Sequence, residues 1–248
     1  MYSKNYIYIT NENQKVIKNT HILIAGCGLG SIIAECALRL GFEYISIIDG
    51  DRVENTNLNR QNYTIKDIGK YKAVALKERL LAINPKARIL VFNDYITKDN
   101  LGMIMKQYSC QIAVNTIDFD SAIPFFFDSV CRKLSIPVLH PLNLGWGGSV
   151  IVISPSGDRL SDLTSEYQDF DLRMVEYVFS KLGNNYIAPS FLRQAIEDYK
   201  SIKNSVCSPP QLSVGSWAVA SMCTTLLYRM SVNLSVNTFP EIYFSSVM

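Results

Sequence analysis

The chain reads as an α/β protein: a Rossmann-like, doubly wound, mostly parallel sheet. Three observations support this. Apolar strand runs alternate with helical periods between residues 22 and 154. The first strand, 22–25, runs into Gly26, Gly28 and Gly30 just ahead of a helix over 31–40 that Gly41 closes. The second strand, 44–48, ends on Asp49. Strand, glycine turn, helix and a strand ending in an acid form the pattern of a nucleotide-binding βαβ unit. Glycines admit a close backbone approach, a helix N-terminus favours phosphate, and the acid can accept ribose hydroxyls. The spacing Gly-x-Gly-x-Gly is one residue shorter than the common form and would suit many dehydrogenases equally.

The remaining elements follow in order. Ala73, Leu76, Leu80 and Ile83 recur at helical spacing in a helix over 67–83 that Asn84-Pro85 stops. A short strand at 88–92 precedes a helix over 98–107, and a strand at 111–116 precedes a helix over 121–134 with Pro124 near its start. Strands at 137–140 and 149–154 flank a glycine cluster, Gly145, Gly147 and Gly148. Residues 155–210 break the rhythm, being richer in charge and tyrosine, with helical pieces at 169–182 and 189–203. We read this stretch as a helical insertion over the active face of one domain spanning 1–248. A long apolar helix at 213–230 and a strand near 242–244 complete the chain.

Composition narrows the function classes. The 248 residues suffice for one large domain, and 48% apolar content is ordinary for a soluble α/β protein. A net charge of +2 gives no reason to expect a nucleic-acid or membrane partner. No apolar run approaches the ~20 residues of a membrane span, and Met-Tyr-Ser-Lys-Asn does not lead into a secretory segment. Cytoplasmic location is the expectation. The six cysteines, at 27, 36, 110, 131, 207 and 223, form no Cys-x-x-Cys pair. Most lie in apolar surroundings that read as buried free thiols.

The residues after Asp49 are more specific than the glycines. Asp49-Gly-Asp51, Val53-Glu54, the run Asn57-Leu58-Asn59-Arg60-Gln61, Asp67-Ile-Gly-Lys-Tyr-Lys72, Ile83-Asn-Pro85, Asp118 after an apolar strand, and Gly145-Trp-Gly-Gly-Ser149 stand in order and at the usual spacing. Together they resemble the adenylating enzymes of the ThiF, MoeB and ubiquitin-activating (E1) superfamily, well over 2–157 and loosely over 209–228. The resemblance implies an ATP-dependent adenylyltransferase acting on a carboxylate, with the C-terminus of a small ubiquitin-like carrier protein or a peptide as the expected substrate. It also implies Mg²⁺ as cofactor and a homodimer. Relatives that carry two cysteine pairs hold a structural zinc. This chain lacks the pairs, so no zinc is expected.

Adenylation needs cations on the triphosphate, a carboxylate for Mg²⁺ and a ribose acceptor. By the resemblance, Arg60 contacts phosphates, which suits a planar guanidinium, and Lys72 is the phosphate lysine. Asp118 is the Mg²⁺ ligand, with Asp120 as fallback. Arg60, Lys72 and Asp118 are thus the expected catalytic residues. Asp49 reads as the ribose acceptor, with a strand-end cap as its alternative. Asp51 shapes the turn, and Asn57 and Gln61 either bind phosphate or hold the loop. Gly26, Gly28 and Gly30 form the phosphate turn. Lys4 stands where relatives carry an arginine that reaches into the partner subunit's site; lysine keeps the charge but loses the bidentate fork. The glycine cluster at 145–148 borders the substrate-tail groove in that family. Trp146 and His140 are ambiguous, and a lone histidine on a strand is more often a core residue than a catalytic one. Cys207, in a polar Cys-Ser-Pro-Pro loop, is the one late thiol that could carry a thioester, and the prolines after it argue for an external acceptor instead. Three rivals remain: a tRNA threonylcarbamoyladenosine dehydratase-like enzyme of the same fold, an NAD(P)-dependent oxidoreductase, and a non-catalytic scaffold. The oxidoreductase explains the glycines but leaves the run 57–61 and Lys72 without a purpose.

Overall fold

The structure, a computed structural model, describes residues 1–163, 169–185, 189–202 and 209–248. Among them, seven strands make one sheet in the order β3-β2-β1-β4-β5-β6-β7. β1 (His21–Ala25), β2 (Tyr44–Ile48), β3 (Arg88–Phe92), β4 (Ile112–Asn115) and β5 (Val138–Asn143) are parallel. β6 (Gly147–Ile153) and β7 (Tyr243–Ser246) add on antiparallel. The chain order reverses between β1 and β4, and in open α/β sheets ligands bind outside the carboxyl ends of the strands at such a switch point.

β1 shows how the sheet is filled. All five of its residues are buried. Ile22 and Ile24 join a core formed with α2 (Leu29–Leu40), α3 (Lys72–Ile83) and α8 (Ser213–Ser231). Leu23 and Ala25 face the opposite way, toward α4 (Leu101–Gln107) and α5 (Ile123–Lys133). This is the two-residue strand period with both faces covered, and it explains why the central strands read as unbroken apolar runs. α6 (Phe170–Asn185) and α7 (Ser190–Ile202) pack on each other and on Leu142, Ile242 and Phe244 as a third, smaller core.

The strands expected from the sequence agree with the structure to within a few residues, and two helices differ in kind. A helix α1 (Asn11–Asn19) stands where only a connecting segment was expected; Thr10 caps it by accepting the Asn13 N–H, and Ile17 is its one buried residue. The helix expected over 67–83 begins only at Lys72, because Gly69 takes φ +84° and Asp67 closes a separate 3-10 turn from Ile65 to Asp67. α8 is a core helix. Val219, Ala220, Cys223, Leu226 and Leu227 are buried, with the helix packed on α2 and β6, while Val214 and Trp217 near its start are 46% and 50% exposed. Cys27, Cys131 and Cys223 are buried free thiols, Cys36 and Cys110 half-buried ones. Cys207 lies outside the described residues. No described helix is long and apolar enough to cross a membrane.

The glycine cluster before β6 is explained by packing. A Cβ on Gly147 would lie 2.7 Å from the Ser245 carbonyl oxygen on β7, and one on Gly148 2.3 Å from Val219 of α8. Gly215, in the first turn of α8, is hemmed in by three atoms at once. Its Cβ would meet Asn143 Oδ1 at 2.4 Å and the carbonyl oxygens of Gly145 and Gly147 at 2.6 and 2.8 Å. Backbone cannot yield as a side chain can, so Gly215→Ala should destabilise the protein by about 1–3 kcal/mol through overpacking. Urea unfolding measures this, and a variant within 0.5 kcal/mol or so of wild type would contradict the packing account.

Candidate functional site

The residues singled out in the sequence converge on the switch point, with one exception. Gly26 leaves β1 at φ +93°, and a Cβ there would sit 2.5 Å from Thr116 Oγ1 and 2.6 Å from Thr116 O, so only glycine fits. Gly28 caps α2 without any side-chain cap, and its missing Cβ faces the Gln61 amide at 3.1 Å. Gly30 lets α2 close on β1, since a Cβ would lie 2.6 Å from Ile24 Cγ2. Turn, backbone approach and helix–strand packing are the three tasks of the longer fingerprint, and the shorter spacing still performs them. The uncapped start of α2 therefore points its amides and positive end toward the crevice.

Asp49 staples this turn to β2. Its Oδ2 accepts the Cys27 N–H at 2.5 Å and its Oδ1 the Asp51 N–H at 2.7 Å. Each carboxylate oxygen has a second lone pair, so a ribose hydroxyl can still be accepted. Burial pushes its pKa up, against the opposing pull of those N–H donors and Lys72. Asp51 holds Lys72: Lys72 Nζ lies 2.8 Å from Asp51 Oδ2, and the Lys72 N–H donates to Asp51 O at 2.8 Å. Tyr95, which the sequence reading passed over, donates its hydroxyl to Asp51 Oδ1 at 2.7 Å. Burial works to raise the Asp51 pKa, but the bonds from Lys72 and Tyr95 outweigh it and hold the carboxyl below its usual range. The Lys72 side chain is only 10% exposed and is held in one orientation.

Arg60 lies across the crevice and is tied down by three contacts. Its Nε donates to Gln211 Oε1 at 3.0 Å, and its Nη1 to Thr56 O at 2.8 Å and Asn59 Oδ1 at 2.9 Å. Gln211, just before α8, gave no local signal in the sequence. Asn57 is buried and its Oδ1 accepts the Glu54 N–H at 2.9 Å in a reciprocal cap, so it holds the loop. Gln61 Oε1 is buried without a hydrogen-bond partner beside the Gly28 turn. A buried orphan polar atom at the mouth of a glycine turn calls for a polar ligand group or water.

Asp118 follows β4 at the switch point and is exposed to solvent. Surrounding protein raises its pKa, Lys72 and Arg60 pull it down, and Asp120 and Asp51 push it up further. It therefore shares one electrostatic neighbourhood with both candidate cations. Asp171, on the first turn of α6, is a residue sequence reasoning missed. Burial, reinforced by the charges of Asp118 and Asp120, pushes it up to about 6. Its neighbour Phe170 packs on Phe119 and Phe125 at ring centroid distances of 4.4 and 4.7 Å. Lys4 is the exception. Its 3-10 turn, Ser3–Asn5, is pinned to the C-terminal end of α2 by Tyr2 Oη to Leu38 O at 3.1 Å and Asn5 Nδ2 to Leu40 O at 2.8 Å. The glycine turn is at the other end of that helix, about 18 Å away at 1.5 Å per residue.

The recess suits a nucleoside triphosphate: a glycine turn under an uncapped helix, with an arginine and a lysine across it. It also fits a Mg²⁺ bound chiefly by phosphate oxygens, with Asp118 as the protein contact. Among the described residues no group of three or more His, Cys, Asp or Glu side chains is arranged to hold a metal by itself.

Comparison with known proteins assigns the class. The profile of the ThiF family matches residues 2–240, and the chain belongs to that family. Relatives include the tRNA threonylcarbamoyladenosine dehydratase of Escherichia coli K12, 33% identical over 159 residues, 62% of this chain and 56% of that protein. A probable molybdopterin-synthase adenylyltransferase of Porphyra purpurea is 38% identical over 173 residues, 68% of this chain and 43% of that protein. The chain thus spans about half the length of these curated relatives. Among solved structures, E. coli MccB with ATP superposes with a TM-score of 0.67 at 18% identity, over 94% of this chain and 65% of that one. E. coli TcdA, a tRNA N6-threonylcarbamoyladenosine dehydratase, gives 0.65 at 19% identity over 94% of both chains. At these identities the likeness establishes the fold.

The raised Asp171 carboxyl has a defined consequence for stability. Below the usual aspartate range the folded and unfolded chains both hold the proton, so the residue is neutral in its effect. Between that range and about 6 the folded chain keeps a proton the unfolded chain has lost. Stability falls across this window and stays lower above it. Asp171→Asn should therefore be more stable than wild type at pH 8 and indistinguishable from it near pH 3.5. Urea titrations at both pH values check this, and a variant less stable than wild type at pH 8 would overturn it.

Proposed function

We propose that this protein is an ATP-dependent adenylyltransferase that activates a carboxylate. In the reaction a carboxylate oxygen attacks the α-phosphorus of ATP. The bond from that phosphorus to the bridging oxygen breaks, and pyrophosphate leaves with the electron pair. The observation that carries the reading is the convergence of Arg60, Lys72 and Asp118 on one recess with the glycine turn. Held arginine and lysine cations stabilise charge as it moves onto the leaving pyrophosphate, and Mg²⁺ at Asp118 would neutralise phosphate oxygens. The ordered loops keep the line of attack open at little reorganisation cost.

On substrate, a peptide or small carrier protein with a free C-terminal carboxylate is the first reading. It draws support from the fold shared with MccB and from relatives named as molybdopterin-synthase and sulfur carrier protein adenylyltransferases. A second reading has its own support: three relatives are named as tRNA threonylcarbamoyladenosine dehydratases, and the TcdA superposition spans both chains nearly whole. A threonylcarbamoyl group also bears a carboxylate, so both readings ask for the same activation. An electrophoretic shift with tRNA separates them.

Calorimetry should show binding of ATP with Mg²⁺ and none of NAD. Arg60→Ala and Asp118→Ala should each lower carboxylate-dependent exchange of labelled pyrophosphate into ATP by about a hundredfold or more, with the fold retained. Tight NAD binding without ATP binding would sink the assignment, and near-normal exchange in either variant would remove that residue from the site.

The protein is further proposed to be a homodimer. Lys4 stands far from its own glycine turn on an exposed edge, and beside it Tyr6, Ile7 and Tyr8 are 65%, 84% and 87% exposed. Three adjacent apolar side chains left open in this way favour a covering partner. Light scattering at micromolar concentration should give twice the chain mass. A monomer there would refute the proposal.

A further inference from the structure

Beneath the turn that carries Asp118 lie three covered polar side chains that the nucleotide reading does not use. His140 on β5 and Asn115 at the end of β4 are each 3% exposed, and the Asp128 side chain on α5 is 14% exposed. His140 Nε2 lies 2.9 and 2.8 Å from Asp128 Oδ1 and Oδ2. An ionised carboxylate only accepts, so Nε2 carries the proton. Asn115 Nδ2 donates to Asp128 Oδ1 at 3.0 Å and to the Pro124 carbonyl oxygen at 3.1 Å. With both Nδ2 partners fixed as acceptors, the amide has one satisfactory orientation, and in it Asn115 Oδ1 accepts the Ile117 N–H at 3.2 Å. Ile117 is the residue before Asp118. On the far side of Asp118, the Phe119 ring is wedged among Phe125, His140 and Phe170, at 5.3, 6.3 and 4.4 Å.

A purely structural role would be served as well by apolar side chains of the same volume, since buried polar groups gain little net stability. What the polar set adds is direction. His140 orients the Asp128 carboxylate, Asp128 selects the Asn115 amide orientation, and Asn115 sets the path by which the chain leaves β4 toward Asp118. A one-residue change in that path would swing the Asp118 carboxylate away from Lys72 and Arg60.

We propose that His140, Asp128 and Asn115 are positioning residues that hold Asp118 for a nucleotide-bound Mg²⁺. The inference rests on the reading of the recess as an ATP site. Its test uses calorimetry of the full chain with ATP plus Mg²⁺ and with ATP plus EDTA, on wild type, Asn115→Ala, His140→Leu and His140→Gln. Asp118→Asn is the reference, and thermal melts run in parallel. Wild type should bind ATP more tightly with Mg²⁺. Asn115→Ala and His140→Leu should lose about ten- to a hundredfold of that gain, the scale for partners that orient a metal ligand, while their affinity in EDTA stays at the wild-type value. His140→Gln, which restores a donor to Asp128, should recover most of the gain. A folded Asn115→Ala variant with the full wild-type gain, or equal losses with and without Mg²⁺, would overturn the proposal. So would failure of both Asn115→Ala and His140→Leu to fold, which would make the three residues a core staple. A wild type that binds no ATP overturns the nucleotide reading and this inference together, whereas wild-type binding with an unaffected Asn115→Ala overturns this inference alone.

Discussion

The contact between Gly26 and Thr116 is the constraint on which the site depends. β1 and β4 are neighbours in the sheet although three α-helices and two strands separate them in the chain. At their carboxyl ends the Thr116 N–H donates to Ala25 O at 2.8 Å, and the Thr116 hydroxyl lies 2.9 Å from both Ala25 O and Gly26 O. This approach is possible only because residue 26 has no side chain and can take a positive φ. It brings two loops together at the switch point: one with the helix N-terminus that suits phosphate, the other with Asp118. A third loop is joined to the first by Asp49, whose carboxylate links the Cys27 and Asp51 amides across the β1–β2 boundary.

Charge is arranged around one half-hidden lysine. Lys72 lowers the pKa of Asp49 and Asp118 and is hydrogen-bonded to Asp51. Three carboxylates around one lysine and one arginine leave the recess without an excess of positive charge, which is unexpected for a triphosphate site. The balance follows from position. Asp49 is engaged with backbone amides and Asp51 with Lys72 and Tyr95, so both serve to hold the loops, and Asp118 is the carboxylate most open to solvent. A divalent cation there would change the sign of the local field, so on the proposed reading Asp118 and the two cations would act on the phosphates together.

The parts legible in the sequence are those with a local cause. The central parallel strands appear as apolar runs because both faces of the sheet are covered there, and Gly26 announces itself because no other residue tolerates its backbone. Arg60, Lys72 and Asp118 were singled out because they stand among motifs with a recognisable order. α1 escaped notice because its single buried side chain, Ile17, leaves no period to read. Gln211, Tyr95 and Asp171 could not be found in this way. Each reaches the site from a segment remote in sequence, and a glutamine, tyrosine or aspartate in such a segment looks like any surface residue. Their roles come from tertiary placement alone: Gln211 holds Arg60, Tyr95 shares Asp51, and Asp171 adds to the charge beside Asp118.

That difference bears on how one fold can serve different substrates. The phosphate half of the recess is made by β1, β2, β4 and the loops that leave them, all locked by backbone contacts that admit few substitutions. The opposite wall begins with α6, which meets this half through side chains: Phe170 stacks on Phe119 and Phe125, and Asp171 faces Asp118 and Asp120. Side-chain contacts can be exchanged without moving the strands beneath them. α6 is therefore the element at which this side of the site can vary while the strands keep their places. The junction between the two halves is the turn 115–119, gripped by Asn115 from below and by the phenylalanine cluster from above.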